Sequence, residues 1–123
     1  PTGPAAACIA ADGTSLPGGE IEARAHALAD ELAALEVASL GLLADNGPDW
    51  LVADLAAQMA SVPLVPLPLF FSLQQRRAAL AAAGVGLLLT DQAGAAGELG
   101  YPLPQPAATG TLRGYAAGAT APK

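Results

Sequence analysis

Apolar and polar residues alternate along residues 1–91 in blocks that predict helices and strands in turn. The clearest block is residues 18–35, where the apolar side chains fall on one stripe of an α-helix. That stripe consists of Ile21, Ala25, Leu28, Ala29, Leu32 and Leu35. Pro17 precedes the first turn of this predicted helix, where a missing amide hydrogen costs nothing.

Three short apolar runs, residues 37–44, 62–67 and 85–89, predict strands. The middle run contains Pro63 and Pro66, each of which removes a hydrogen-bond donor, so we expect a short edge strand or an irregular one there. Strands that alternate with helices through short links are typical of a parallel sheet covered by helices. The pattern therefore predicts the α/β class.

The segments between these strands carry helix start and stop signals. Residues 49–60 follow Asn46, which can cap a helix, and Pro48, whose fixed φ suits a first turn. The larger apolar side chains of this helix fall on one side, at Leu51, Val52, Leu55 and Met59. Ser72 can cap a third helix of about twelve residues, and Gly84 is placed to end it.

The two ends of the chain differ from this middle part. Residues 7–16 predict a two-stranded ribbon, because Asp12-Gly13 is a strong hairpin dipeptide. After Asp91 the chain is rich in Gly, Pro, Ala and Thr and has no amphipathic period. We therefore expect an α/β subdomain over residues 1–91 and an irregular tail or linker over residues 92–123. The few apolar anchors of that tail are Leu99, Tyr101, Leu103, Leu112 and Tyr115.

Composition narrows the possible partners and locations. The 123 residues correspond to one domain or a piece of one. They include 11 acidic and 5 basic side chains, a net charge of -6, which argues against nucleic acid because that partner needs clustered Lys and Arg. The longest charge-free apolar run, Met59–Leu73, is broken by prolines and too short to span a membrane. A single cysteine cannot form an internal disulfide, which predicts a cytoplasmic location.

Three candidate features each have a simpler structural interpretation, which we favour. Cys8 has no nearby cation to activate its thiol, so we expect a small buried hydrophobe. His26 lies off the apolar stripe of the first helix and has no triad partner in view, so we expect a solvated surface residue. The segment from Gly94 to Gly97 lacks the glycine spacing or the Gly-Lys-Ser/Thr of a phosphate-binding loop, so we expect a flexible linker.

Asp45, Asn46 and Asp91 are more interesting, because they follow two of the predicted strands. Ligands of open parallel sheets bind outside the carboxyl ends of strands. Asp and Asn are also ordinary turn and cap residues, and we favour that interpretation. A phosphorelay receiver domain is excluded, since it needs a lysine after its last strand and the only lysine is Lys123. The sequence thus assigns no catalytic, cofactor-binding or metal-binding residue.

Five segments stand in a recognisable order: Ala10–Leu16, Glu20–Leu32, Leu42–Trp50, Ser61–Leu67 and Ala83–Asp91. In order, they are similar to the opening hairpin, the first helix, the strand with a polar Asn turn before an aromatic, the Val-Pro-Leu stretch and the following strand of the adenylate-forming (AMP-binding) ligases. From about Pro4 to Asp91 the chain therefore resembles the N-terminal region of that family, and within it the acyl-CoA synthetases. It departs from the family pattern at Pro17, Ser61 and Pro63.

The resemblance implies an N-terminal scaffold fragment of an ATP-dependent carboxylic acid-CoA ligase, which forms an acyl-adenylate and then a thioester. ATP, Mg²⁺ and CoA are expected for the full-length enzyme and not on this chain, because the family's nucleotide-binding motifs have no counterparts here. Gly118–Lys123 is only faintly similar to the first of them, the Ser/Thr/Gly-rich loop ending in Pro-Lys-Gly. The resemblance further implies a small, mostly parallel sheet within a larger ligase domain, inactive alone and packed against the remainder of its own enzyme.

The alternative is a free-standing, non-catalytic interaction module or truncated relative, which binds a protein partner through an exposed apolar face. Either interpretation predicts a large exposed apolar patch and self-association through it.

Overall fold

The computed structural model describes residues 7–9, 15–45 and 47–117. In chain order its elements are β1 Ala7–Ile9, β2 Ser15–Pro17, α1 Gly18–Ala34, β3 Leu40–Leu43, α2 Pro48–Ala60, β4 Leu64–Pro66, α3 Leu73–Ala83, β5 Leu87–Thr90, α4 Ala93–Glu98, β6 Leu103–Thr109 and β7 Leu112–Ala116. β1 and β2 pair antiparallel, which confirms the predicted ribbon, while its turn at Asp12-Gly13 lies outside the described residues.

The other five strands form one sheet in the order β4-β3-β5-β7-β6. β4, β3 and β5 are parallel, as the alternation of strands and helices predicts. β7 runs antiparallel to β5 and forms a hairpin with β6. The fold is therefore mixed α/β, with a parallel half followed by an antiparallel hairpin.

Helices cover both faces of this sheet. One apolar cluster joins α1 and α2 to Leu40 and Leu42 of β3 and to alternate residues of β5. A second cluster, on the opposite face, joins α3 and α4 to Leu43 and Leu88. β3 and β5 are buried along their whole length, which explains their continuous apolar sequence, since a strand covered on both faces has no polar side.

The buried face of α2 differs from the one that its larger apolar residues indicate. Its buried residues are Val52, Ala53, Ala56 and Ala57, whereas Met59 is exposed. Small alanine side chains let two helices approach closely, and this face packs against α1. Leu51 and Leu55 are partly buried against the same cluster, so only Met59 of the predicted side lies in solvent, because close packing of α1 and α2 selects the small residues.

The start and stop signals of α3 are confirmed. Gln75 N donates to Ser72 Oγ at 3.1 Å, and Ser72 N donates to Gln75 Oε1 at 2.8 Å, so the two residues form a complete capping box. Gly84 ends the helix in the left-handed conformation, at φ 60°.

The irregular tail predicted after Asp91 is wrong for residues 93–116, which form α4, β6 and β7. Ala96 and Leu99 belong to the apolar cluster on the face covered by α3. Leu112 belongs to the cluster on the face covered by α1 and α2. The prolines of β6 argue against a strand in the sequence, because proline is confined to the edges of sheets. The structure accommodates them because β6 is an edge strand. The division of the chain at residue 91 stays a prediction, as does a linker over residues 118–123, which lie outside the described residues.

Both outer strands of the sheet carry prolines. β4 begins directly after Pro63 and ends at Pro66. β6 contains Pro104 and Pro106. Gly110 lies in the two-residue turn between β6 and β7, at φ +56°. A Cβ at this position would collide with the carboxylate of Asp49. Across the described ranges, no helix combines the length and the apolar character that a membrane crossing requires.

Candidate functional site

A cleft of about 430 Å³ opens at the carboxyl ends of β3 and β4. It forms because the chain leaves β3 towards α2 on one face of the sheet and leaves β4 towards α3 on the other. Two loops that diverge from neighbouring parallel strands leave a crevice between them, which is where open α/β sheets bind ligands. We call this site the β3–β4 cleft.

Among the residues that the structure describes, the lining of the β3–β4 cleft is mostly apolar and contains one charged residue. Its residues are Ala44, Asp45, Trp50, Pro66, Leu67, Pro68, Leu69 and Phe70. Trp50 stands in the first turn of α2, so the start of that helix supplies one wall. The other wall is formed by Pro66 at the end of β4 and by the segment after it, which supplies Leu67, Pro68, Leu69 and Phe70.

Hydrogen bonds hold the segment after β4 in place. Leu67 N donates to Leu42 O at 2.8 Å, and Arg76 Nη2 of α3 donates to Leu69 O at 3.0 Å. The ring of Phe71 meets that of Phe70 edge-on, with centroids 5.5 Å apart. Phe70 nevertheless remains 85% exposed. The backbone is therefore anchored at both ends while a large aromatic side chain stays in solvent.

The structure brings Asp45 and Asp91 to the same edge of the sheet, as the sequence predicts. Leu43 of β3 lies opposite Thr90 of β5. Asp45 comes two residues after Leu43, and Asp91 comes directly after Thr90. Both are exposed, but only Asp45 lines the cleft. Asn46 lies outside the described residues.

Neither Asp45 nor Asp91 occupies the N-cap position of the helix that follows it. The N-cap position of α2 is Gly47, which has no side chain to cap the helix. The N-cap position of α4 is Gln92, again without a side-chain cap, although Gln92 N donates to Thr90 Oγ1 at 3.2 Å. Asp45 and Asp91 are thus turn residues with solvated carboxylates. Pro48 is the first residue of α2, as predicted.

The remaining candidates lie away from the cleft. His26 is exposed on α1, which confirms a surface residue. The side chain of Cys8 lies outside the part of the structure that is described. The linker predicted from Gly94 to Gly97 is wrong, since both glycines lie within α4. Burial of Ala96 outweighs the low helix propensity of glycine, and Arg77 Nη2 donates to Glu98 O at 2.7 Å at the end of that helix.

Trp50 and the segment after β4 are site residues that sequence reasoning did not single out. The sequence contains a signal for both. Trp50 lies in the first turn after one strand, and a Pro-rich run follows the next strand. In a parallel sheet these two segments lie at the same edge.

The chemistry of the lining decides which ligands fit. Binding of phosphates needs cations or converging amides, and the cleft offers neither a lysine nor an arginine side chain in its lining. In the described ranges, no group of three or more His, Cys, Asp or Glu residues could hold a metal ion. ATP and Mg²⁺ therefore do not fit the β3–β4 cleft. An apolar or aromatic group does.

The comparison with protein families settles the class of the chain. The model of the family described as "AMP-binding enzyme" matches residues 2–114, so this chain belongs to the AMP-binding enzyme family. Those are the adenylate-forming ligases that the order of the sequence segments indicates, and the mixed α/β fold matches their N-terminal domain. No curated protein matches the chain at a significant level.

Solved structures support the same class. The ATP-bound RpMatB-BxBclM chimera B3 is 25% identical to the chain, with a TM-score of 0.57 over 69% of this chain and 18% of that chain. ATP-bound MatB from Rhodopseudomonas palustris gives the same values. Apo MatB from the same organism is 24% identical, with a TM-score of 0.58 and the same coverage. This likeness supports the fold alone. The chain therefore spans less than a fifth of the length of these solved proteins.

Proposed function

We propose that this chain is the N-terminal scaffold of an ATP-dependent carboxylic acid ligase of the acyl-CoA synthetase type. The proposed activity of the full-length enzyme is formation of an acyl-adenylate from a carboxylic acid, followed by transfer of the acyl group to CoA. Membership of the AMP-binding enzyme family over residues 2–114 is the observation that carries this proposal. Likeness to two solved structures with bound ATP supports the choice of nucleotide.

The proposed contribution of these residues is structural. The apolar clusters on both faces of the sheet fix the positions of the loops at its carboxyl edge. The lining of the β3–β4 cleft does not suit a nucleotide or a metal ion. In this proposal, ATP, Mg²⁺ and CoA are therefore bound by residues outside this chain, and the remainder of the same enzyme is the partner of the scaffold. A cytoplasmic location stays a prediction.

The experiment compares two polypeptides in carboxylate-dependent ATP–pyrophosphate exchange. One is the 123-residue chain, and the other is the product of the complete open reading frame that contains it. We expect exchange only with the second, followed by thioester formation when CoA is added. Exchange catalysed by the 123-residue chain would contradict the scaffold role. If the full-length protein forms no adenylate with any of a panel of carboxylic acids, the ligase assignment is contradicted.

A second candidate function, a free-standing module that binds a protein partner, is favoured by one observation. Leu69, Phe70 and Leu73 are 42%, 85% and 39% exposed and follow one another between β4 and the start of α3. Exposed apolar side chains in one segment are typical of a surface that a partner covers. An open reading frame that encodes no further ligase motifs beyond Lys123 would favour this function over the scaffold.

A further inference from the structure

We propose that the β3–β4 cleft is a binding site for a small organic cation, of the alkylammonium or quaternary ammonium class. This inference goes beyond the ligase scaffold and does not depend on it. It rests on the combination of one carboxylate, two aromatic residues and an apolar lining in a single cleft of about 430 Å³. That volume lies within the roughly 300–1,000 Å³ that is usual for small-molecule sites.

The charge at the cleft has no internal counter-ion among the described residues. Asp45 takes part in none of the ion pairs found there, which join Arg24 to Glu20 and to Asp49. The other described arginines donate to main-chain carbonyl groups: Arg76 to Leu69, Arg77 to Glu98, and Arg113 to Gly110 and Leu112. The carboxylate of Asp45 is therefore available to a positive charge that arrives from solvent.

The aromatic residues favour a cation of low hydration. Trp50 and Phe70 both line the cleft, one at the start of α2 and the other after β4. Trp is the best partner for a cation over its ring, and quaternary ammonium ligands are bound in this way by aromatic cages. Apolar surfaces of Pro66, Leu67 and Pro68 suit the methyl or methylene groups that such cations carry. A strongly hydrated metal cation gains nothing from these walls.

Anionic ligands are excluded by the same lining. A carboxylate or phosphate would approach Asp45 with no lysine or arginine side chain among the lining residues to offset the repulsion. The net charge of -6 raises the local concentration of cations around the whole chain and opposes anions in the same way. The cleft therefore distinguishes ligands by the sign of their charge.

Fluorescence of Trp50 tests the proposal directly, because it is the only tryptophan in the chain. The complete 123-residue chain is titrated with choline and, separately, with 3,3-dimethylbutan-1-ol, which has the same shape without the charge. We expect choline to change the emission saturably and to bind at least about fivefold more tightly than the neutral analogue, since an exposed charge pair and a cation–π contact each contribute up to about 1 kcal/mol.

Matched variants separate the cleft from the general attraction of cations to an acidic protein. Asp45→Asn is expected to weaken choline binding about fivefold, while Asp91→Asn, the same change at the neighbouring strand end, leaves it unaltered. Phe70→Ala is expected to weaken it about threefold. Circular dichroism checks that each variant is folded. Equal affinity for choline and its neutral analogue, or equal losses in the two aspartate variants, would overturn the proposal. Neither readout involves ligase activity, so the two proposals fail separately.

Discussion

Glu31 of α1 accepts a hydrogen bond from the main-chain amide of Ala108 in β6, with 3.2 Å between Ala108 N and Glu31 Oε1. The two residues are 77 positions apart in the sequence. Ala108 follows a register shift in β6, between Gln105 and Ala108, where pairing with β7 is interrupted. A partly buried main-chain amide needs an acceptor, and for Ala108 a side chain of the covering helix supplies it.

Replacement of Glu31 is expected to destabilise the hairpin. Glu31→Ala removes the acceptor of the Ala108 amide, and we expect the free energy of unfolding to fall by about 1–2 kcal/mol. Glu31→Gln keeps a carbonyl oxygen and is expected to lose less than half of that. Urea unfolding followed by circular dichroism measures both. Glu22→Ala, an exposed position on the same helix, is the control, and a loss as large there would contradict the assignment.

Asp49 is expected to fix the turn between β6 and β7. Its Oδ2 accepts from both Thr111 N and Thr111 Oγ1, each at 3.0 Å. Asp49→Ala breaks both bonds, and we expect a loss of about 1–3 kcal/mol and faster hydrogen exchange at the Thr111 amide. Asp54→Ala, on the same helix, serves as the comparison. Unchanged exchange at Thr111 in the Asp49 variant would show that the turn is held by other contacts.

A side chain at Gly41 is expected to crowd the core. A Cβ there would lie 3.0 Å from Leu80 Cδ2 and 3.1 Å from Val85 Cγ1, in the layer between β3 and α3. Gly41→Ala therefore overpacks this layer and is expected to cost about 1–3 kcal/mol. At Gly86 the nearest atom to an added Cβ is 3.9 Å away, so Gly86→Ala is expected to change stability by less than about 0.5 kcal/mol. Equal effects at the two positions, measured by thermal unfolding, would rule out the packing explanation.

Tyr101 is expected to make stability depend on alkaline pH. Its hydroxyl is buried and donates to Val85 O at 2.7 Å, and burial raises the pKa of the phenol above its ordinary value of 10.0. The unfolded chain therefore loses this proton first, so the contribution is complete below pH 10.0 and is lost as the pH rises towards the folded pKa.

The measurement is urea unfolding between pH 8 and pH 11, in steps of about half a unit around the phenol pKa. Tyr101→Phe is expected to lower stability at pH 8 by about 1 kcal/mol, because Val85 O loses its donor, and to remove this part of the alkaline loss. Tyr115→Phe, at a half-buried position, is the matched change. An identical pH profile for the Tyr101 variant and the parent chain would contradict the argument.

The parallel half of the fold follows from local patterns. The stripe on α1, the capping box at Ser72 and the glycine at position 84 each carry their own signal, and each is found where the sequence predicts it. Continuous apolar runs identify β3 and β5, because both faces of these strands are covered. Local chemistry and tertiary packing agree in this region, which is why sequence reasoning suffices.

The antiparallel half depends on contacts between distant parts of the chain. α4 has only six residues and two glycines, and its stability comes from burial of Ala96 and from Arg77, which lies 21 residues before Glu98. β6 contains prolines that argue against a strand unless its place at the sheet edge is known. The cleft has the same origin, since Trp50 and Phe70 line one cleft only after β3 and β4 have paired.

The prolines of the two outer strands have a further consequence. Backbone donors are missing at Pro66 on one border of the sheet and at Pro104 and Pro106 on the other, and the amide of Ala108 is already occupied. Neither border can template another β-strand along its length, which guards against amyloid-like stacking of copies. We therefore expect a larger assembly to form above or below the sheet, through helices and loops, and not by addition of strands to its borders.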